Sequence, residues 1–565
     1  MARFFDEHAK RAVFSLDGTW KFRIDSADEG EALGWYKDSI GGESVTVPSV
    51  WNTDISLLEY EGVCWYEKSF LFEGGTLRLN FGAVMTYAKV YLDGEYLGEH
   101  YGGFCRFDFI KQGVARGYHR LTVRVDNRFD KKSIPQAMVD WYHYGGITRS
   151  VEAETLSGIS ILNNRFDYTL TNGGAKCRST LELYNASNTE LCDEVKIYID
   201  GKECTKIKVT LSPAETKTVS TEEFFIDGVK LWSPGEPNLY SLSAESSTDD
   251  LYDRVGFRFV EVKGGKVLLN GEEIRFLGVN RHEENTDFGM AFPPALMKRD
   301  IDIITGANCN SIRGSHYPNN PIFLDMLDER GVMFWSEIPM WGVGFSTEAL
   351  GDPDVVARGL AMHKEMVKEY YNHPSIIIWG MHNEINSDTK EAYALTKTYY
   401  EYLKADGGNR IVTYASDKPL IDICLEFCDI ICINAYYGWY NLDVTWEEFL
   451  DEFNERKIKL GFADKLVIIS EFGAAAIFGH HTFDNLLWTE EYQAKLISDC
   501  LTLFHAREEI VGSFIWQYSD IRTSKELGLN RARSYNNKGI VNEYRRPKLS
   551  YGAVRDTYGK IKDKR

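Results

Sequence analysis

The chain has 565 residues, 44% hydrophobic and 26% charged, with 13% aromatic. That length holds about three to five domains, and the proportions belong to a globular protein with a large core, which excludes a single small module or a disordered chain. Its net charge of −20 repels phosphate backbones and anionic headgroups and argues against nucleic acid or membrane as partners.

The opening MARFFDEHAKRAVFSLDGTW has no basic stretch leading into an apolar run, and nowhere do about 18 apolar residues run together, so the expected location is cytoplasmic. Residues 1–155 read as short alternating strands broken by glycine turns (TLRLNFGAV, AKVYLDGEYLG, HRLTVRVDN), with tryptophans at 20, 35, 51 and 65. This predicts an all-β sandwich. Residues 156–260 repeat the pattern in a smaller unit (STLELYNAS, EVKIYIDGKE, LYSLSAES), sized for an immunoglobulin-like sandwich, with WSPGEPN as a turn-rich break.

From 261 to 565 the text changes. Apolar runs now alternate with amphipathic stretches such as AMHKEMVKEYY and EYQAKLISDCLTLF, the mark of a parallel sheet with crossover helices. The strands IRFLGVN, CNSIRGS, VMFWSEI, SIIIWGM, RIVTYAS, IICINAY, LVIISEF and GSFIWQY give the eight of a (β/α)8 barrel. The fifth crossover, around PLIDICLEFC, reads as short and weakly helical, and the basic tail KIKDKR is expected to fray.

A barrel presents its chemistry at the C-terminal ends of its strands. Glu384, directly after Asn383, ends the fourth strand and Glu471 ends the seventh. Three steps apart on the ring, the two can face each other across the mouth. Paired carboxylates suit glycoside cleavage, where one group protonates the leaving oxygen and the other attacks or stabilises the anomeric carbon; a helix cap or a surface ion pair is the plainer reading of either glutamate alone. Other strand ends carry Arg281, His282 and Glu283, then Arg313, Ser315 and His316, then Tyr436 and Tyr440, and finally Trp516. No His-x-His follows the first strand, as a metal-dependent hydrolase barrel would want. Cys424, Cys428 and Cys432 lack ligand spacing with nearby histidines and read as buried thiols, and His480 and His481 as loop residues.

These residues lie within a resemblance that spans nearly the whole chain. LDGTWKFR, FGAVMTYAKVYLDGEYLGEHYGGF, YGGITRSV, FLGVNRHE, SIRGSHYP, NHPSIIIWGMHNE and IISEFG occur in the order used by family 2 of the glycoside hydrolases, which holds β-galactosidases, β-mannosidases and β-glucuronidases. The resemblance implies a jelly-roll sugar-binding-type domain, an immunoglobulin-like sandwich and a catalytic barrel, with Glu384 as acid/base and Glu471 as nucleophile of a retaining reaction. It implies no metal or other cofactor, a small-molecule or oligosaccharide glucuronide as substrate, and a homo-oligomer, tetramer or dimer.

SYNNKGIVNEYRRPK resembles the β-glucuronidase pattern in which an Asn-x-Lys pair, here Asn536 and Lys538, binds the C6 carboxylate. A strongly acidic protein needs such a local ammonium to hold an anionic sugar. Without the resemblance, NNKG reads as a glycine turn with a solvated lysine. By the same similarity Asp140 reaches from the first domain toward sugar hydroxyls, Tyr436 and Tyr440 lie near the nucleophile, and His282, His316, Asn383 and Trp516 contact or orient the sugar. Two departures stand out: Ile385 occupies a position where proline is common in glucuronidases, and PMWGVGFSTEALGDPD is short beside loop-bearing members, which implies a wider mouth. The alternatives are a β-galactosidase or β-galacturonidase on the same scaffold, and a carbohydrate-binding protein with an inactive barrel.

Overall fold

The computed structural model describes residues 3–342 and 344–563. The first domain is a sandwich of the jelly-roll class. Its four-stranded sheet orders Ala12–Ser15, Val151–Leu156, Gly75–Phe81 and Phe107–Val114, and its six-stranded sheet orders Glu43–Val47, Gly18–Asp25, Val63–Phe72, Gly117–Asp126, Tyr87–Leu92 and Glu95–Tyr101. Alternation drives it: Trp20 and Phe22 on one strand, whose neighbours are exposed, point into one core with Leu121, Val123 and Val125 of another. The immunoglobulin-like domain packs Ile159–Thr171, Gly174–Asn185 and Thr216–Ser220 against a sheet ordered Lys202–Leu211, Leu191–Ile199, Tyr240–Glu245 and Asp250–Val255. In the WSPGEPN segment, Trp232 is fully buried and its indole N–H donates to the Asp328 carbonyl at 2.8 Å, tying this domain to the barrel.

Eight parallel strands close the barrel: β1 Phe276–Asn280, β2 Ser311–Gly314, β3 Met333–Glu337, β4 Ile376–Asn383, β5 Ile411–Ser416, β6 Ile431–Asn434, β7 Val467–Phe472 and β8 Ile510–Ile515. Every strand run read from the sequence overlaps one of them, with the fourth strand running on to Asn383 and the eighth starting earlier, at Ile510. The crossovers behave as their chemistry dictates. Asp352 caps the helix Pro353–Tyr370 by accepting from the Asp354 N–H, proline stands at its first turn, and Val355, Met362, Met366, Val367 and Tyr370 bury one stripe. The fifth crossover holds only a 3-10 turn, Leu425–Phe427. The tail differs from expectation: the helix Leu549–Asp563 runs through Lys560 and Lys562, anchored by buried Val554 and Tyr558, and residues 564–565 lie outside the described residues.

A small antiparallel sheet, Val260–Lys263, Lys266–Leu269 and Glu272–Ile274, precedes β1. Its two-residue turns, Gly264-Gly265 and Asn270-Gly271, have positive φ throughout (61°, 72°, 58° and 87°), the conformation tight hairpins require. Val260, Val267 and Leu269 share a core with Phe276, Trp335, Ile378 and Cys432 and so close one end of the barrel. Among the described residues, no helix is long and apolar enough to cross a membrane.

Candidate active site

The other end of the barrel is organised around one cation. Arg313, fully buried on β2, spends its guanidinium on Glu337 through a fork of 3.0 and 2.9 Å, on Glu471 Oε1 at 2.8 Å, on Asn280 Oδ1 at 3.1 Å and on Asn383 Oδ1 at 2.6 Å. Four strand ends are thereby fixed to one planar group, a job lysine's single ammonium could not do.

Glu471 and Glu384 face different halves of this network. Glu471 also accepts from the Tyr436 hydroxyl at 2.7 Å. Glu384 Oε1 accepts from Asn434 Nδ2 at 2.8 Å, and that amide also reaches Asn383 Oδ1 at 3.0 Å while Ser470 donates to its oxygen at 2.7 Å. Asn434 and Tyr436, two residues apart at the end of β6, therefore hold one carboxylate each. Glu384 sits at φ 52°, a conformation costly for a side-chain-bearing residue and one that concentrates at functional positions. Next to it, Ile385 is buried in the barrel core.

The electrostatics separate the pair. Burial pushes Glu384 well above the ordinary carboxylate range, and the negative charges of Glu471 and Asp417 push the same way. Burial lifts Glu471 to about 7, against the pull of Arg313 and Tyr436. Two carboxyls so placed favour one proton between them, and the direct guanidinium contact puts it on Glu384.

Aromatic and imidazole rings line the floor. Trp516 stacks on His316 with centroids 5.0 Å apart and meets His282 edge-on at 5.4 Å. His316 Nδ1 is 2.7 Å from Glu337, while the Nε2 atoms of His282 and His316 and the Asn383 amide nitrogen are buried with no hydrogen-bond partner among the described residues. Burial drives both imidazoles well below their ordinary value, His282 with help from His316 and Arg313, and His316 with help from Arg313. Neutral rings with spare nitrogens, together with a spare amide, are what sugar hydroxyls need.

The first domain completes the mouth. Its segment around residue 140 is clamped to the barrel: Tyr144 donates to Glu284 at 2.9 Å and Arg149 reaches Glu283 at 3.2 Å. Trp141 packs against His282, His316 and Trp341. This delivers Asp140 to the loop after β8, where Asn536 donates to it at 2.6 Å and Arg531 at 2.9 Å. Asn536 Oδ1 accepts from the Lys538 backbone N–H, and Lys538 Nζ, on a residue 2% exposed, donates to the Tyr440 hydroxyl at 2.7 Å. Among the described residues, no carboxylate pairs with Lys538.

All eleven site residues read from the sequence thus gather at one end of the barrel. Others named beside them do not join: Arg281 is spent on Asp300 and Asn319, and Glu283 on the interdomain contact. Cys424, Cys428 and Cys432 are buried thiols, Cys428 pushed up to about 12 by burial. His481 pairs with Glu491 in an exposed loop. Glu337 and Asn434 were missed although both end barrel strands, the very signal used for the other two glutamates. Arg531 sits in a loop without any pattern.

A three-domain chain with an acid/base-capable carboxylate pair at the mouth of a (β/α)8 barrel is a glycoside hydrolase. Residues 13–156 match the sugar binding domain of glycosyl hydrolases family 2, residues 159–258 match the family 2 description, and residues 260–563 match its TIM barrel domain, so the chain belongs to glycosyl hydrolases family 2. A β-glucuronidase of Paenibacillus borealis is 27% identical, with 98% of this chain and 97% of that protein covered. Among solved structures, a β-galacturonidase from Eisenbergiella tayi bound to galacturonate matches with TM-score 0.92, 34% identity and 99% of each chain. A β-glucuronidase of Ruminococcus gnavus matches with TM-score 0.87, 25% identity and 99% of each chain.

Proposed function

We propose that the protein is a retaining β-glucuronidase. The observation that carries the reading is Lys538, an ammonium buried without a carboxylate partner among the described residues, beside the catalytic pair. Burying an uncompensated charge is expensive, and a C6 carboxylate supplies the missing counter-charge. Glu384 gives its proton to the glycosidic oxygen as the bond to the anomeric carbon breaks, and Glu471 forms the new bond to that carbon. Water then attacks the same carbon, its proton passes to Glu384, and Glu471 is released. Arg313 and Tyr436 keep Glu471 ionised and aimed.

The same chemistry serves the C4 epimer, and the 34% identity to a β-galacturonidase supports a β-galacturonidase as second reading. Assaying aryl β-glucuronide, aryl β-galacturonide and aryl β-galactoside in parallel tests both: the uronides should exceed the galactoside by at least about a hundredfold in kcat/KM, with the glucuronide foremost. Fastest cleavage of the galacturonide would establish the second reading, and fastest cleavage of the galactoside would refute both. The short segment after β3 also predicts action on glucuronate-terminated oligosaccharides; rapid aryl cleavage with none on the oligosaccharide would contradict that openness.

The rate should be bell-shaped in pH. Activity rises as Glu471 ionises and falls as Glu384, held at the higher value, loses its proton. Assayed with a dinitrophenyl leaving group that needs no acid, Glu384→Ala should lose the alkaline limb and keep the acidic one; an unchanged alkaline limb would assign it to another group.

A further inference from the structure

Asp422 lies in the fifth crossover and is 1% exposed. Among the described residues no cation pairs with it, and its carboxylate is met by four neutral donors instead. Oδ1 accepts from the Tyr414 hydroxyl at 2.9 Å and the Cys424 backbone N–H at 2.7 Å. Oδ2 accepts from the hydroxyls of Ser416 at 2.6 Å and Ser387 at 2.7 Å. Two oxygens with two acceptor positions each are thereby filled, which leaves none for a substrate. Burial pushes Asp422 above the ordinary carboxylate range, against the pull of these four donors. A buried anion without a counter-charge is costly, and the places its donors come from show what it holds together. Ser387 belongs to the turn after β4, three positions past Glu384, while Tyr414 and Ser416 on β5 flank Ala415. The Ala415 carbonyl accepts the N–H of Glu384, the residue held at φ 52°, at 2.9 Å. The Ile423 N–H, donating to the Ser387 carbonyl at 3.0 Å, adds a second bond between the crossover and the same turn.

We propose that Asp422 is a positioning residue for the acid/base: by pinning the Ser387 turn to the end of β5 it holds Glu384 in its positive-φ conformation and so aims the Glu384 carboxyl at the glycosidic oxygen. This rests on the reading of Glu384 as acid/base given above. A misaimed acid costs rate only where a proton must be given or taken, whereas a loosened fold costs rate on every substrate.

The test compares a phenyl β-uronide, whose leaving group needs a proton, with the dinitrophenyl β-uronide, whose leaving group does not. Asp422→Ala should lower kcat/KM on the phenyl substrate by about tenfold to a hundredfold and on the dinitrophenyl substrate by less than about twofold. On the dinitrophenyl substrate kcat and KM should fall together, because hydrolysis of the glycosyl-enzyme still needs the base, and azide, which needs none, should restore kcat. Asp422→Asn, which keeps one acceptor oxygen, should recover part of the loss. Equal losses of kcat/KM on both substrates, or no loss on either, would overturn the role of Asp422 while leaving the reading of Glu384 intact, provided Glu384→Ala itself distinguishes the two leaving groups. If Glu384→Ala does not distinguish them, both readings fall. Should Asp422→Ala melt below the assay temperature, Ser387→Ala, which removes one donor and keeps the backbone bond from Ile423, decides the matter: a loss confined to the phenyl substrate supports the proposal, and equal losses or none contradict it.

Discussion

Glu471→Ala should lower turnover of an aryl β-glucuronide by about three to six orders of magnitude, because under the proposed retaining mechanism the group that makes the covalent bond is gone and the remaining contacts only bind. Azide should restore part of the activity and yield the α-glycosyl azide, since the small anion enters from the face the carboxylate vacated. Glu384→Ala should behave differently. It should still release acidic phenols, which leave without a proton, and azide should then give the β-product by attack on the glycosyl-enzyme. The geometry explains the difference: Glu471 is gripped by Arg313 and Tyr436, which favour an anion, whereas Glu384 faces the Asn434 amide and keeps its proton. Identical rescue products from both variants would contradict the division of roles.

Lys538→Ala should cost about a hundredfold or more in kcat/KM on the glucuronide, the usual penalty for removing one partner of a buried charge pair. The loss on the methyl ester should be at least tenfold smaller. Because the ammonium has no carboxylate partner among the described residues, its removal should leave the melting temperature unchanged or slightly raised. A fall in melting temperature of many degrees with equal losses on both substrates would make Lys538 a structural residue.

The barrel was legible because its strands are short apolar runs, most of them with a polar residue at or just past the C-terminal end, as in SIIIWGMHNE. The same rule should have exposed Glu337 at the end of β3. In the fold it is fully buried against Arg313 and His316, and no local pattern separates a carboxylate that serves as a counter-ion from one that faces the substrate. The closing sheet before β1 was also legible in principle, since its Gly-Gly and Asn-Gly turns sit between alternating residues, but its strands are only three or four residues long and merge with the first barrel run. Arg531 was beyond reach. Its pairing with Asp140, 391 positions earlier, depends on a docking of the first domain that no local spacing encodes. Asp140 itself came from the family resemblance, and the clamp of Tyr144 and Arg149 onto the barrel supplies the physical reason it arrives there.

The central claim, a covalent uronyl-enzyme on Glu471, is tested most directly by trapping. A 2-deoxy-2-fluoro-glucuronyl fluoride slows release of the intermediate more than its formation, so brief incubation followed by intact-mass and peptide measurement should show one uronyl adduct per chain, carried by the peptide containing Glu471. An adduct on any other residue, or prompt hydrolysis of ordinary glucuronides with none trapped and the α-anomer as first product, would contradict it.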